Sequence, residues 1–120
     1  MIVDDDPFIS DLLTRKFSDE GFITRHAGSG EDALKNFETE KLPDAVLLDI
    51  MLPGIDGFEV LRRMKADARI ATVPVVVLSN IGNEEDMEKA KHLGALLYLV
   101  KISVPLEEIV EKVRSVCPKR

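Results

Sequence analysis

The chain places acids where short apolar runs stop. Asp4, Asp5 and Asp6 follow Ile2 and Val3, and Asp49 follows the run Ala45 to Leu48. If those runs are neighbouring strands, three carboxylates converge, and like charges that close are unstable without a cation to neutralise them. The candidate ligands are all oxygens, with no cysteine or histidine at ligand spacing, so Mg2+ fits better than Zn2+. Two more polar residues end apolar runs: Ser79 after "VVVL" and Lys101 after "LYLV". A hydroxyl and an ammonium beside a metal-bound carboxylate are equipment for phosphoryl chemistry. In that chemistry Asp49 is the nucleophile, attacking phosphorus in line to give an acyl phosphate while metal and lysine offset charge on the oxygens. Ser79 then binds the product.

Such a site needs elements that bring positions 4 to 101 together. Short apolar stretches occur at Ile2 to Val3, Phe22 to Ala27, Ala45 to Leu48, Val75 to Leu78 and Leu96 to Val100. Their apolarity is continuous rather than alternating, which predicts strands buried on both faces of a parallel sheet. Between them, Phe8, Ile9, Leu12, Leu13 and Phe17 recur at helical spacing, as do Leu106, Ile109, Val110, Val113 and Cys117. Ser29 before Asp32 and Asn83 before Asp86 stand at helix-capping spacing. Gly21 and Gly94 fall where helix C-terminal glycines belong, and Lys89, Lys91 and His92 suit the end of the fourth helix. Alternating strands and helices joined by short loops imply right-handed crossovers and a doubly wound α/β sheet. Ligands in such folds sit at the carboxyl ends of the strands, where these acids stand.

Composition narrows the class. The 120 residues are 45% apolar, enough for a single domain with its own core, here expected over residues 1–120. One cysteine, Cys117, cannot close an intramolecular disulfide, which points to a reducing, cytoplasmic setting. No apolar stretch approaches the ~20 residues that span a bilayer, and the first residues lack the pattern of a signal peptide. A net charge of -6 repels phosphate backbones and argues against direct nucleic-acid binding. The basic end, Lys119 and Arg120, is too short to reverse that.

Together these residues resemble the receiver domains of two-component response regulators, of the chemotaxis-regulator type, over essentially the whole chain. The resemblance rests on the pair Asp4 and Asp5, on Asp49 with its "MLPGIDG" tail, on Ser79, and on Tyr98 with Lys101. Separations of 44 residues from Asp5 to Asp49, 30 to Ser79 and 22 to Lys101 make the ordered set specific. It implies a flavodoxin-like (βα)5 three-layer sandwich with strand order 2-1-3-4-5. It implies that Asp49 accepts a phosphoryl group from a sensor histidine kinase, a phosphotransfer protein or a small acyl phosphate. Asp5, Asp49 and the backbone carbonyl of Met51 would hold Mg2+, with Asp4 reaching it through water. Ser79 would bond a phosphoryl oxygen, Lys101 would pair with the phosphate, and Tyr98 would turn inward as Ser79 is recruited. The face of the fourth helix, fifth strand and fifth helix would then change for an output domain, a partner protein or a second copy of the chain.

The blander roles are weighed beside these. Asp6 before Pro7 reads as a helix cap. Tyr98 also reads as plain strand packing. His26 and His92 read as solvated surface. Ile102 follows Lys101 where most members of the family have a cis proline; a cis bond to isoleucine costs ~3 to 4 kcal/mol, which predicts a trans bond and a rearranged turn. Asn80 is bulkier than the residue usual after the serine. Met51 and Ile81 are apolar where a polar group would orient water, which predicts slow hydrolysis of the acyl phosphate. Strand one, with only Met1, Ile2 and Val3 before the acids, is short for a central strand: either the chain starts late or its neighbours are partly unpaired. Two rival functions stand beside the receiver. An aspartate-nucleophile phosphatase typically has an acid two residues after the nucleophile, where this chain has Met51; a turnover enzyme is therefore not expected. A receiver-like interaction module that never takes phosphate would keep the fold and leave the acids idle.

Overall fold

Three consecutive valines, Val75 to Val77, set the centre of the molecule, because β-branched side chains pack well on a pleated sheet and disfavour helix. In the computed structural model, which describes residues 1–117, they begin β4 (Val75–Ser79), buried at every position. The other strands are β1 (Ile2–Val3), β2 (His26–Ala27), β3 (Val46–Leu48) and β5 (Leu97–Val100). All pairings are parallel, in the order β2-β1-β3-β4-β5. The expected α/β architecture and strand order are both present.

Continuous apolarity has its cause in the two cores. One side chain of each strand pair faces α2 (Gly30–Thr39), α3 (Gly57–Ala66) and α4 (Glu84–His92), as with Val46, Leu48, Val75 and Val77 packing near Phe37, Leu61 and Met64. The next faces α1 (Pro7–Asp19) and α5 (Leu106–Val116), as with Leu47, Val76 and Leu78 beside Leu13, Phe17, Ile109 and Val110. Successive residues serve opposite layers, so the central strands β1, β3 and β4 are buried at every position.

Capping follows the sequence. Asp6 caps α1 ahead of Pro7, Ser29 caps α2, and Asn83 caps α4, each side chain accepting backbone N–H groups of the first turn. Gly21 and Gly94 end their helices at φ +92° and +108°, a region open to glycine.

One boundary differs clearly from expectation. The second strand was expected from Phe22 but pairs only at His26 and Ala27, because β1 offers just two residues for it to pair with. Phe22 instead packs edge-on against Phe17, with ring centroids 5.1 Å apart. An apolar cleft of about 690 Å3, lined in part by Phe17, Phe22, Leu42, Leu47 and Val113, opens at these amino ends. The basic end Lys119 and Arg120 lies outside the described residues.

After Lys101 no peptide bond is cis among the described residues, as expected for a bond to Ile102. A single 3-10 turn, Lys101–Ser103, makes the rearranged connection into α5. Ile102 stands 87% exposed on it.

Candidate functional site

The register of the sheet builds the site. Val3 pairs with Leu48, so the next residues, Asp4 and Asp49, leave β1 and β3 side by side; the Asp49 N–H donates to the Val3 carbonyl at 3.0 Å. One carboxylate oxygen from each of Asp4, Asp5 and Asp49 lies within 4.8 Å of the other two. Asp4 and Asp49 are buried, while Asp5 faces solvent.

Lys101 closes the cluster from the end of β5. Its Nζ stands 2.7 Å from Asp4 Oδ2 and 3.2 Å from Asp49 Oδ2. Burial pushes the Asp49 carboxyl above its ordinary value; the Lys101 charge and the Met51 N–H pull it down without restoring it, and Asp4 adds repulsion. For Lys101 burial alone would lower the ammonium. The hydrogen bond to Asp4 and the charges of Asp49 and Asp4 outweigh that and raise it, so Lys101 is charged at neutral pH.

A turn behind Asp49 aims it. The Met51 N–H donates to Asp49 Oδ1 at 3.1 Å, which brings the Met51 peptide to the site while its side chain stands 60% exposed. Gly54 turns the loop at φ +72°, and Asp56 caps α3. Gly57 then starts α3 directly against the chain of Asp49: a Cβ there would collide with the Asp49 carbonyl and the Ile50 Cα. The "PGIDG" tail therefore holds α3 close behind the acid.

Ser79 and Tyr98 form a second group on the same rim. Ser79, fully buried at the end of β4, accepts the Ile81 N–H on Oγ at 3.1 Å. The half-buried Tyr98 hydroxyl donates to the Ile81 carbonyl at 2.6 Å. Both polar faces of one residue in the β4–α4 loop are thus gripped by the two side chains expected to act as a switch. Burial raises the Tyr98 phenol, opposed by its hydrogen bond with Ser79 and reinforced by Asp86 and Asp49.

The residues fit a hard divalent ion. Three carboxylates face one ammonium, every donor is oxygen, and the exposed Asp5 leaves a side open to the waters that Mg2+ tends to keep.

Two contacts were not legible in the sequence. His26, read as solvated surface, does have an exposed ring, yet its Nε2 is 2.8 Å from the Asp4 carbonyl. Ser10 Oγ donates to the same carbonyl at 3.2 Å. Neither carries a spacing signal, since each depends on how a helix or strand packs beside the β1–α1 turn. His92 is exposed, as expected.

Comparison with known proteins agrees with this geometry. The response regulator receiver domain model matches residues 1–114. Sporulation initiation phosphotransferase F of Bacillus subtilis is 36% identical over 118 residues, 98% of this chain and 92% of that protein. The DNA-binding dual master transcriptional regulator RpaA of Synechocystis sp. is 36% identical over 115 residues, 96% of this chain but 47% of that protein. The chain thus spans about half the length of some curated relatives and nearly all of another. Among solved structures, the BeF3-activated N-terminal receiver domain of Klebsiella pneumoniae RstA matches with a TM-score of 0.88 at 27% identity, covering 98% of this chain and 97% of that one. A putative response regulator from Chloroflexus aurantiacus matches at 0.87 and 33% identity, covering 96% and 93%. The carboxylate cluster at the carboxyl rim of a 2-1-3-4-5 sheet therefore has its place in a family, and this chain belongs to the response regulator receiver domains.

Proposed function

We propose that this domain accepts a phosphoryl group on Asp49 from a sensor histidine kinase or phosphotransfer protein of the cytoplasm. One observation carries the reading: Asp49 is buried, 3.2 Å from the Lys101 ammonium, with the Asp4 and Asp5 oxygens within 4.8 Å. A carboxylate placed so has little structural use and a full set of partners for phosphate.

Mg2+ would be held by Asp5, Asp49 and the Met51 carbonyl, with Asp4 reaching it through water; when bound it supplies positive charge for the phosphoryl oxygens. The rest is work for this chain's own groups. An Asp49 oxygen forms the new P–O bond as the donor's P–N bond breaks and the imidazole leaves with the electron pair. Lys101, raised and charged, exchanges part of its pairing with Asp49 for the incoming phosphate. Ser79 gives up the Ile81 N–H to bond a phosphoryl oxygen.

That exchange links site to surface. Ile81 is held at its N–H by Ser79 and at its carbonyl by Tyr98, so freeing one disturbs the other. The phosphate adds about 1.5 to 2 negative charges, and it shifts the population between two arrangements by its differential interaction with them. The readout is the face of α4, β5 and α5, offered to an output domain, a partner protein or a second copy. The chemistry is self-phosphorylation and self-dephosphorylation; no acid stands at position 51 for turnover.

Beryllofluoride with Mg2+ tests the reading through amide shifts. Changes at Asp49, Ile81 and Tyr98 in the wild type, absent in Asp49→Asn, are expected. No Asp49-dependent change would favour a module that works without phosphate.

A further inference from the structure

The β1–α1 turn is pinned at more atoms than its capping requires. Asp4 donates its N–H to the Ala27 carbonyl at 3.1 Å, the last rung between β1 and β2. Its Oδ1 accepts the Asp6 N–H at 2.9 Å and its Oδ2 accepts Lys101. What remains is the Asp4 carbonyl, which no strand rung fills among the bonds of this turn. Ser10 reaches it from α1 at 3.2 Å, and His26 reaches it from β2 at 2.8 Å. Facing a carbonyl oxygen, the Nε2 of His26 carries the proton and donates.

A peptide group is planar, so the direction of the Asp4 carbonyl also fixes the N–H and Cα of Asp5. Asp5 is the exposed acid of the three and gets none of the burial that holds Asp4 and Asp49. The peptide plane from which it springs sets where its Cα lies, and so the point from which its carboxylate reaches toward Asp49. We infer that His26 is a positioning residue for metal binding: by donating to the Asp4 carbonyl it fixes the Asp4–Asp5 peptide plane and points the Asp5 carboxylate at Asp49. This rests on the reading of the three acids as a divalent-cation site. It assigns a role to the exposed end of β2, which touches neither Asp49 nor the phosphate partners.

Groups that orient metal ligands typically alter affinity by tenfold or more when removed. Mg2+ binding to the full chain, followed by calorimetry, is the test, with wild type, Asp5→Asn, His26→Ala and His26→Gln compared and metal-free melting recorded for each. His26→Ala should weaken Mg2+ on the order of tenfold. His26→Gln, whose amide N–H reaches about as far as Nε2, should recover most of that loss even if both variants melt at the same temperature. Binding by His26→Ala within about twofold of wild type would overturn the role, and so would an equal loss in both variants. If the wild type itself binds Mg2+ no better than Asp5→Asn, the cation site falls, and the role of His26 with it.

Discussion

Asp49 is held in a state that the fold alone does not favour. Its carboxyl stands above the ordinary 3.8, because burial and Asp4 outweigh the help of Lys101 and Met51. A carboxyl raised in the folded state stabilises the protonated form. Its contribution is present below pH 3.8 and is lost as pH rises through the raised value, so at neutral pH the ionised acid opposes folding. Asp49→Asn removes that charge and leaves Lys101 its shorter bond to Asp4. Without divalent ions at pH 7, the variant should melt above wild type by roughly 4 °C, for a gain of about 1 kcal/mol, and the gap should close as pH falls toward the ordinary value. Saturating Mg2+ should raise the wild type and leave the variant nearly unmoved. Met51 carries a second expectation. Its exposed thioether, two residues past Asp49, offers no polar group that could orient a water. The phosphorylated wild type should persist beyond seconds, and Met51→Asn should shorten its life by about tenfold, read as decay of the phosphorylated mass in Mg2+. Of the residues at the site, Asp4, Asp5, Asp49, Ser79 and Lys101 were legible because each ends an apolar run, and in a parallel sheet such ends share one rim. His26 and Ser10 were not, because a bond to a backbone carbonyl leaves no trace in residue type or spacing.

Elements position these residues through close backbone approach. Gly57 lets α3 begin against the Asp49 carbonyl, while its N–H donates to the Ile50 carbonyl at 2.9 Å. Gly57→Ala should therefore destabilise by about 2 kcal/mol, as overpacking does, in contrast to the small effect of a methyl in open space. Urea melts of Gly57→Ala measure this. A loss of stability below about 0.5 kcal/mol would mean that the turn behind Asp49 yields freely. The strands were legible where both faces are buried, as in β4, whose valines leave no alternative. The second strand was misjudged at its start because Phe22 is apolar for another reason: it packs on Phe17 at the base of α1. Apolarity records burial, and only the length of β1 decides how much of that burial is ladder. The turn after Lys101 was legible in kind, since isoleucine disfavours a cis bond; its 3-10 form was not, because that depends on how α5 docks.

At the scale of the molecule, the sheet separates two tasks. Chemistry is gathered at the carboxyl rim by β1, β3, β4 and β5, while the flanking helices form two independent cores that need no rearrangement for the site to exist. The link from rim to surface is short: Ser79 and Tyr98 meet at Ile81, between β4 and α4. In the switch proposed above, the site would respond first and the α4, β5 and α5 face second. The measurement that bears most directly on this is intact mass after incubation with a small acyl phosphate. One phosphoryl group should appear on the wild type in the presence of Mg2+, and none on Asp49→Asn or in excess chelator. A wild type that stays unmodified, or an Asp49→Asn variant that gains the same mass, would contradict Asp49 as the acceptor.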